Sequence, residues 1–445
     1  MSALAHGVAG SASVPRWERL DPLTRFGILA SVLVLLCVSG GMLWLVGYNY
    51  DGLMGSAATK IHPSTYMIVL VFGWSVVSSG NPIRRTLHLI AVRPATVLML
   101  AVTMFAIVVT VIRQGPGLGG MVDTYIASCL LVLLLADADD ELMAALTAML
   151  HVVMTVNALM ALVEFATHHL FFPYRFDGIA FASDTRSAAL QGHPLANAML
   201  TACYLMALLS GARTLTPTTR TILIGLQSAA LVVFGGRTAL LASLMFGLGY
   251  GLFVLLGALR GRVSLIGAAA ACAMAALVPL AVGALIAFGF FDDLMTRFVS
   301  DGGSAEAREK MFSLLNMFSL GDLIFGPDLH LVDTLRRVNG LEWGIENPVV
   351  RMLLYQGGII TVLVLGAFVL FMVELVRVTG PGLWLPMAVW FILLNGAETI
   401  AVKTTLPAKF AVVALCLYRR ERKPAQTVTA SPAPAPIRWR DRAAG

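Results

Sequence analysis

Stretch after stretch of this chain, each about as long as a bilayer is thick, holds no charged side chain; residues 26–47 and 94–112 are two of them. About 20 apolar residues are needed to cross a hydrocarbon core, and the backbone there must satisfy its own hydrogen bonds. Helices meet that demand. Of the 445 residues, 58% are apolar and 13% charged, about half the charge of a soluble chain. Mean hydropathy is +0.83. There are too few polar groups to cover a water-facing surface. The sequence therefore predicts an all-α integral membrane protein, with room for roughly ten to thirteen crossings.

The apolar runs fall at 26–47, 64–80, 94–112, 119–136, 142–168, 194–210, 221–235, 237–258, 263–289, 348–376, 382–398 and 400–418, giving about twelve spans. The stretch 221–258 is too long for one ordinary span, and Gly235-Gly236 supplies a turn between two helices. Lys403, Pro407 and Lys409 interrupt the last run, so a tilted or broken helix facing protein is expected there. No cleavable leader is evident. With a cytoplasmic N-terminus, 18 of the 31 Lys and Arg residues lie inside, as membrane topology favours. The Arg419–Lys423 cluster is the strongest anchor. This bias accounts for the net charge of +6 without a nucleic-acid partner.

The predicted organisation is a cytoplasmic tail at 1–25, a polytopic membrane domain at 26–423 and a disordered Pro- and Ala-rich cytoplasmic tail at 424–445. Two long loops, at about 169–193 and 290–347, share the outer face, where chemistry is expected. The five cysteines all sit in apolar runs, so neither a disulfide frame nor a thiolate metal site is indicated. There is no P-loop, no paired metal-binding aspartates and no zinc spacing, so no metal and no cofactor is expected. Gly115–Gly120 fits the letters GxGxxG, but it joins two membrane helices with no strand before it. The acidic run Asp137, Asp139, Asp140 and Glu141 reads as a solvated turn.

Arginine on the outer face runs against the topology bias. Arg175, Arg186, Arg237, Arg308 and Arg351 are among those there. Arg237 is the only charged residue between Arg220 and Arg260. A guanidinium near the membrane surface is costly unless it meets an anion, and its fork matches phosphate oxygens. Either these arginines hold a lipid-linked diphosphate or they snorkel to headgroups. Glu346, before Asn347 and Pro348, sits at a water–lipid boundary that raises a carboxyl pKa. It reads as a general base for a sugar hydroxyl, or as an acid at a helix start capped by Asn347. His193, before Pro194, either shuttles protons or is a structural residue at a helix entry.

The order of these motifs resembles the O-antigen ligase and Wzy polymerase superfamily of bacterial envelope polysaccharide enzymes. It runs from Gly192-His-Pro-Leu-Ala through Gly235-Gly-Arg237 and Ser304-Ala-Glu-Ala-Arg308 to Glu346-Asn347 and Gly357-Gly358, over about residues 170–375. The resemblance implies a metal-independent inverting glycosyltransferase at the periplasmic face of the inner membrane. Its substrate would be a glycan on undecaprenyl diphosphate, drawn from the membrane lipid. Arg186, Arg237 and Arg308, with Arg175, would hold the diphosphate, Glu346 or His193 would be catalytic, and Asn347 and Arg351 would support them. Glu346 stands where the ligase branch has histidine, and Ile360 where it has its second glycine, which favours the polymerase branch. A chain-length regulator or export machinery is an implied partner. The alternatives are a ligase acting on lipid A core or protein, and a transporter of lipid-linked glycan.

Overall fold

A computed structural model describes residues 20–180, 186–211, 214–257, 260, 304–341, 344–345, 347–394 and 400–419. In chain order its helices are α1 (Pro22–Cys37), α2 (Gly40–Leu45), α3 (Pro63–Ser78), α4 (Pro82–Val92), α5 (Pro94–Ile112), α6 (Leu118–Asp137) and α7 (Asp140–Thr167). A two-stranded hairpin follows, β1 (Arg175–Phe176) and β2 (Ile179–Ala180). Then come α8 (Pro194–Ser210), α9 (Pro217–Val233), α10 (Arg237–Gly257), α11 (Ser304–Ser313), α12 (Leu320–Phe325) and α13 (Leu329–Val338). Last are α14 (Pro348–Gln356), α15 (Gly358–Val378), α16 (Trp384–Leu394) and α17 (Leu406–Tyr418).

Proline sets many of the starts. It occupies the first turn of α1, α3, α4, α5, α8, α9 and α14. There its missing N–H forfeits no bond and its fixed φ suits the helix. In all of these but α5 the preceding side chain caps the first turn, from Asp21, His62, Asn81, His193, Thr216 and Asn347.

The chain is an all-α, multi-pass membrane protein. Among the described residues, five helices (α5, α6, α7, α10 and α15) are long and apolar enough to cross a bilayer, and α3 with α4, bent by 118°, makes a sixth. Apolar helices of 10–17 residues lie at Pro22–Cys37, Pro194–Ser210, Pro381–Leu394 and Leu406–Tyr418. The span expected at 263–289 lies outside the described residues. The long apolar stretch at 221–258 does divide at Gly235-Gly236, into α9 and α10.

Burial sorts these helices. In its most apolar window α6 is 83% buried, whereas α5 is 28% buried and turns its apolar side chains outward. An all-apolar helix buried inside the bundle is core, and one left exposed meets lipid. At the centre stands α8, contacted by α9, α10, α16 and α17, with Tyr204 and Met206 fully buried.

Polar contacts tie the two ends differently. At one end, Arg25 pairs with Glu141 at 2.7 Å and with Asp139 at 3.3 Å. There Arg85 also pairs with Asp137, which His88 approaches at 3.0 Å. Asp137 is therefore a buried ion-pair partner rather than part of a solvated turn. Its neighbour Asp139 caps α7. At the same end Glu374 of α15 accepts from the Ala95 amide at 2.7 Å and from Thr96, serving as a cap for α5 from another helix.

The expected span at 348–376 is two helices. Gly357, at φ +87°, separates α14 from α15. A Cβ there would lie 2.6 Å from the Gly326 amide nitrogen, so the approach of the 320–326 segment needs glycine. The segment containing α11, α12 and α13 has a small core around Met311, Leu314 and Val332, shared with Leu354 of α14.

Candidate functional site

Three connections meet at the other end of the bundle: the 38–62 loop after α1, the 186–193 segment entering α8, and the 400–405 loop entering α17. Between them is a cavity of about 450 Å³ whose wall includes Asp51, His62, Gln191, His193, Lys403 and Lys409.

The wall is anchored from below by a buried carboxylate. Asp123 lies in a π-helical turn of α6 (Val122–Ile126) and is fully buried. It accepts from the Tyr50 hydroxyl at 2.8 Å, the Thr65 hydroxyl at 2.7 Å and the His62 amide at 3.0 Å. These bonds fasten the 38–62 loop to the helix. His62 in turn has Nε2 3.1 Å from the Val38 carbonyl and Nδ1 2.7 Å from the Ser64 hydroxyl. Burial pushes its imidazole down to about 3, so it is neutral at physiological pH.

The second wall is pinned by Glu164 of α7, which is 1% exposed. It accepts from the amides of Phe171 at 2.8 Å, Ala188 at 2.8 Å and Ala189 at 2.9 Å. Asn157 accepts from the Leu190 amide at 3.0 Å. The 187–191 stretch is thereby held in the bundle, and it presents Gln191. Gln191 donates to the Leu36 carbonyl at 2.9 Å, and its oxygen accepts from Lys409 of α17.

Lys409 is 5% exposed. Lys403 donates to the Tyr50 carbonyl, and its Nζ is 3.9 Å from the Tyr50 ring centroid. An ammonium has three N–H donors, more than these bonds use. Burial lowers the Lys403 ammonium below its ordinary value, opposed by Asp51 and Asp123. Asp51 is pushed up to about 6, chiefly by burial, with Lys403 and Lys60 opposing.

His193 lies on this wall. It also caps α8, with Nδ1 accepting from the Leu195 amide at 3.2 Å, and its ring meets Tyr174 edge-on at 4.9 Å. The two readings of His193 are compatible. Asn347 acts as a cap, accepting from the amides of Val349 at 2.9 Å and Val350 at 3.1 Å. Arg351 lies over the Tyr355 ring at 5.4 Å and lines a separate small cavity with Tyr125 and Gln356. Arg175 donates to the Gly178 carbonyl at 3.1 Å within the hairpin. Arg186 is half-buried just before the pinned stretch, and Arg237 is half-buried as the first residue of α10. Arg308 belongs to α11. Glu346 lies outside the described residues.

Sequence reasoning missed Asp51, Asp123 and the two lysines as site residues. A charge inside an apolar run is a functional signal by default. Asp123 in the fourth run carried that signal, as did Lys403 and Lys409 in the last.

The chain matches no protein-family model, no curated protein and no solved structure.

Proposed function

We propose that this protein is a membrane glycosyltransferase of the polysaccharide polymerase and ligase type. It joins glycan repeat units carried on undecaprenyl diphosphate at the periplasmic face of a bacterial inner membrane. The observation that carries the reading is the cavity in which Lys403, Lys409 and His193 share a wall with a carboxylate. It opens among the outer loops, and Arg25, Arg85 and Arg419 belong to the opposite end. Basic residues favour the cytoplasmic side, which supports the reading of the cavity as periplasmic.

The chemistry is one displacement at the anomeric carbon. An acceptor hydroxyl attacks, the bond to the diphosphate breaks with inversion, and the electron pair leaves with the carrier. Preorganised cations at the leaving oxygens stabilise the developing charge, commonly the largest share of such catalysis. Lys403 and Lys409 serve here from the cavity wall, whose described lining includes none of Arg175, Arg186 and Arg237. No metal or ATP is required, because the diphosphate linkage activates the donor.

The test is the full chain in liposomes supplied with lipid-linked repeat units extracted from the source cells. A ladder of lengthening glycans supports the polymerase. Single transfer to an added acceptor identifies the ligase branch. Movement of label between leaflets with no new glycosidic bond identifies a transporter and overturns the reading.

A further inference from the structure

We propose that Asp51 is the base that takes the acceptor hydroxyl's proton in this cavity. The assignment rests on the glycosyltransferase reading and adds to it a residue outside the motifs that suggested it.

Three observations carry it. Asp51 lies on the cavity wall with Lys403, Lys409 and His193. Among the described residues its carboxylate makes no hydrogen bond and no ion pair, whereas Asp123, one layer deeper, is saturated by the Tyr50 and Thr65 hydroxyls and the His62 amide. One carboxylate is structural and the other is left with its lone pairs open. Third, the chain makes room for it. A Cβ on Gly40 would stand 1.6 Å from Asp51 Oδ2, so any other residue there expels the carboxylate from its position.

The groups around it are Lys403 and Lys60, which favour its charge, and Asp123, which opposes it. Tyr50 is protonated, raised well above its ordinary value by burial, and His62, Tyr174, His193 and Lys409 also line the wall. With burial holding the carboxyl up at about 6, Asp51 is ionised at neutral pH yet basic enough to accept a proton, the compromise that general-base work favours. In the step, the acceptor O–H bond breaks and its proton goes to Asp51. The oxygen forms the bond to the anomeric carbon, and the carbon–oxygen bond to the diphosphate breaks. The carrier leaves with the electron pair, and Asp51 then releases its proton to water. Of the other candidate bases, His193 has Nδ1 engaged by the Leu195 amide.

Asp51→Asn in the reconstituted full chain should lower the transfer rate by about 10²–10⁴-fold while undecaprenyl diphosphate, added alone, still binds. Wild-type rate should fall about tenfold per pH unit below about 6, and Asp51→Glu should retain part of the rate with that limb displaced. Gly40→Ala, which leaves every ionisable group in place, should also lower the rate. Transfer by Asp51→Asn at the wild-type rate, or the same pH limb in that variant, overturns the assignment while leaving the transferase reading intact. Wild-type protein that neither transfers glycan nor binds undecaprenyl diphosphate overturns both.

Discussion

Lys403 Nζ stands 3.9 Å from the centre of the Tyr50 ring and donates to the carbonyl of the same residue. One side chain therefore clamps the 400–405 loop to the 38–62 loop, two segments about 350 residues apart in sequence. A charged hydrogen bond contributes about 1.5–3 kcal/mol and a cation–π contact about 0.5–2 kcal/mol. Lys403→Met should lower stability by about 1–3 kcal/mol, read from the thermal midpoint in detergent. An unchanged midpoint would show that the two loops are held by other contacts.

Asp123 should behave as a structural residue. Asp123→Ala leaves the buried Tyr50 hydroxyl and His62 amide without their acceptor, at a cost of about 1–3 kcal/mol for each. The expected result is a large fall in the monodisperse fraction after extraction, with Asp123→Asn less severe. Extraction of Asp123→Ala at wild-type yield and stability would contradict this role.

Asp51 should show the opposite signature. Its carboxyl is raised to about 6 in the folded chain, against about 3.9 when unfolded, so the folded state binds the proton more tightly. The charged form is the one the fold disfavours. Stability therefore falls as pH rises from about 4 to about 6 and is level above that. Asp51→Asn should accordingly melt higher than wild type at pH 7, with the gap closing below about pH 4. A variant that loses activity and gains stability marks a group retained for function.

At the other end, Arg85→Ala takes the guanidinium from the buried Asp137 carboxylate and leaves it His88 at 3.0 Å. Breaking such a pair costs about 3–5 kcal/mol, whereas replacing both partners with apolar residues is often neutral. Arg85→Ala should therefore be far less stable than Arg85→Met combined with Asp137→Leu, by thermal melting. Equal stability of the two would remove the ion pair from the account.

The fold was legible where a single physical demand dominated. A backbone in lipid must satisfy its own hydrogen bonds, which a helix does within one segment, and Gly235-Gly236 announced its own turn. The break at Gly357 was not legible, because its cause is the approach of Gly326 from thirty residues away. Asp137 looked solvated for a similar reason: its partner Arg85 comes from another helix. In the candidate site, His193 could be read from its place before Pro194. Asp51 could not, since what isolates its carboxylate is the folding of three separate loops around it. Lys403 and Lys409 were visible as interruptions of an apolar run, which pointed to a helix facing protein but not to the cavity they line.

The central claim is that this cavity takes a diphosphate, and the direct measurement is binding of undecaprenyl diphosphate to the purified full chain by native mass spectrometry. Binding by wild type, weakened at least tenfold in Lys409→Met and retained in Asp51→Asn, is the predicted result, with folding of each variant checked by size exclusion. No binding by wild type, or equal binding by wild type and Lys409→Met, would contradict it.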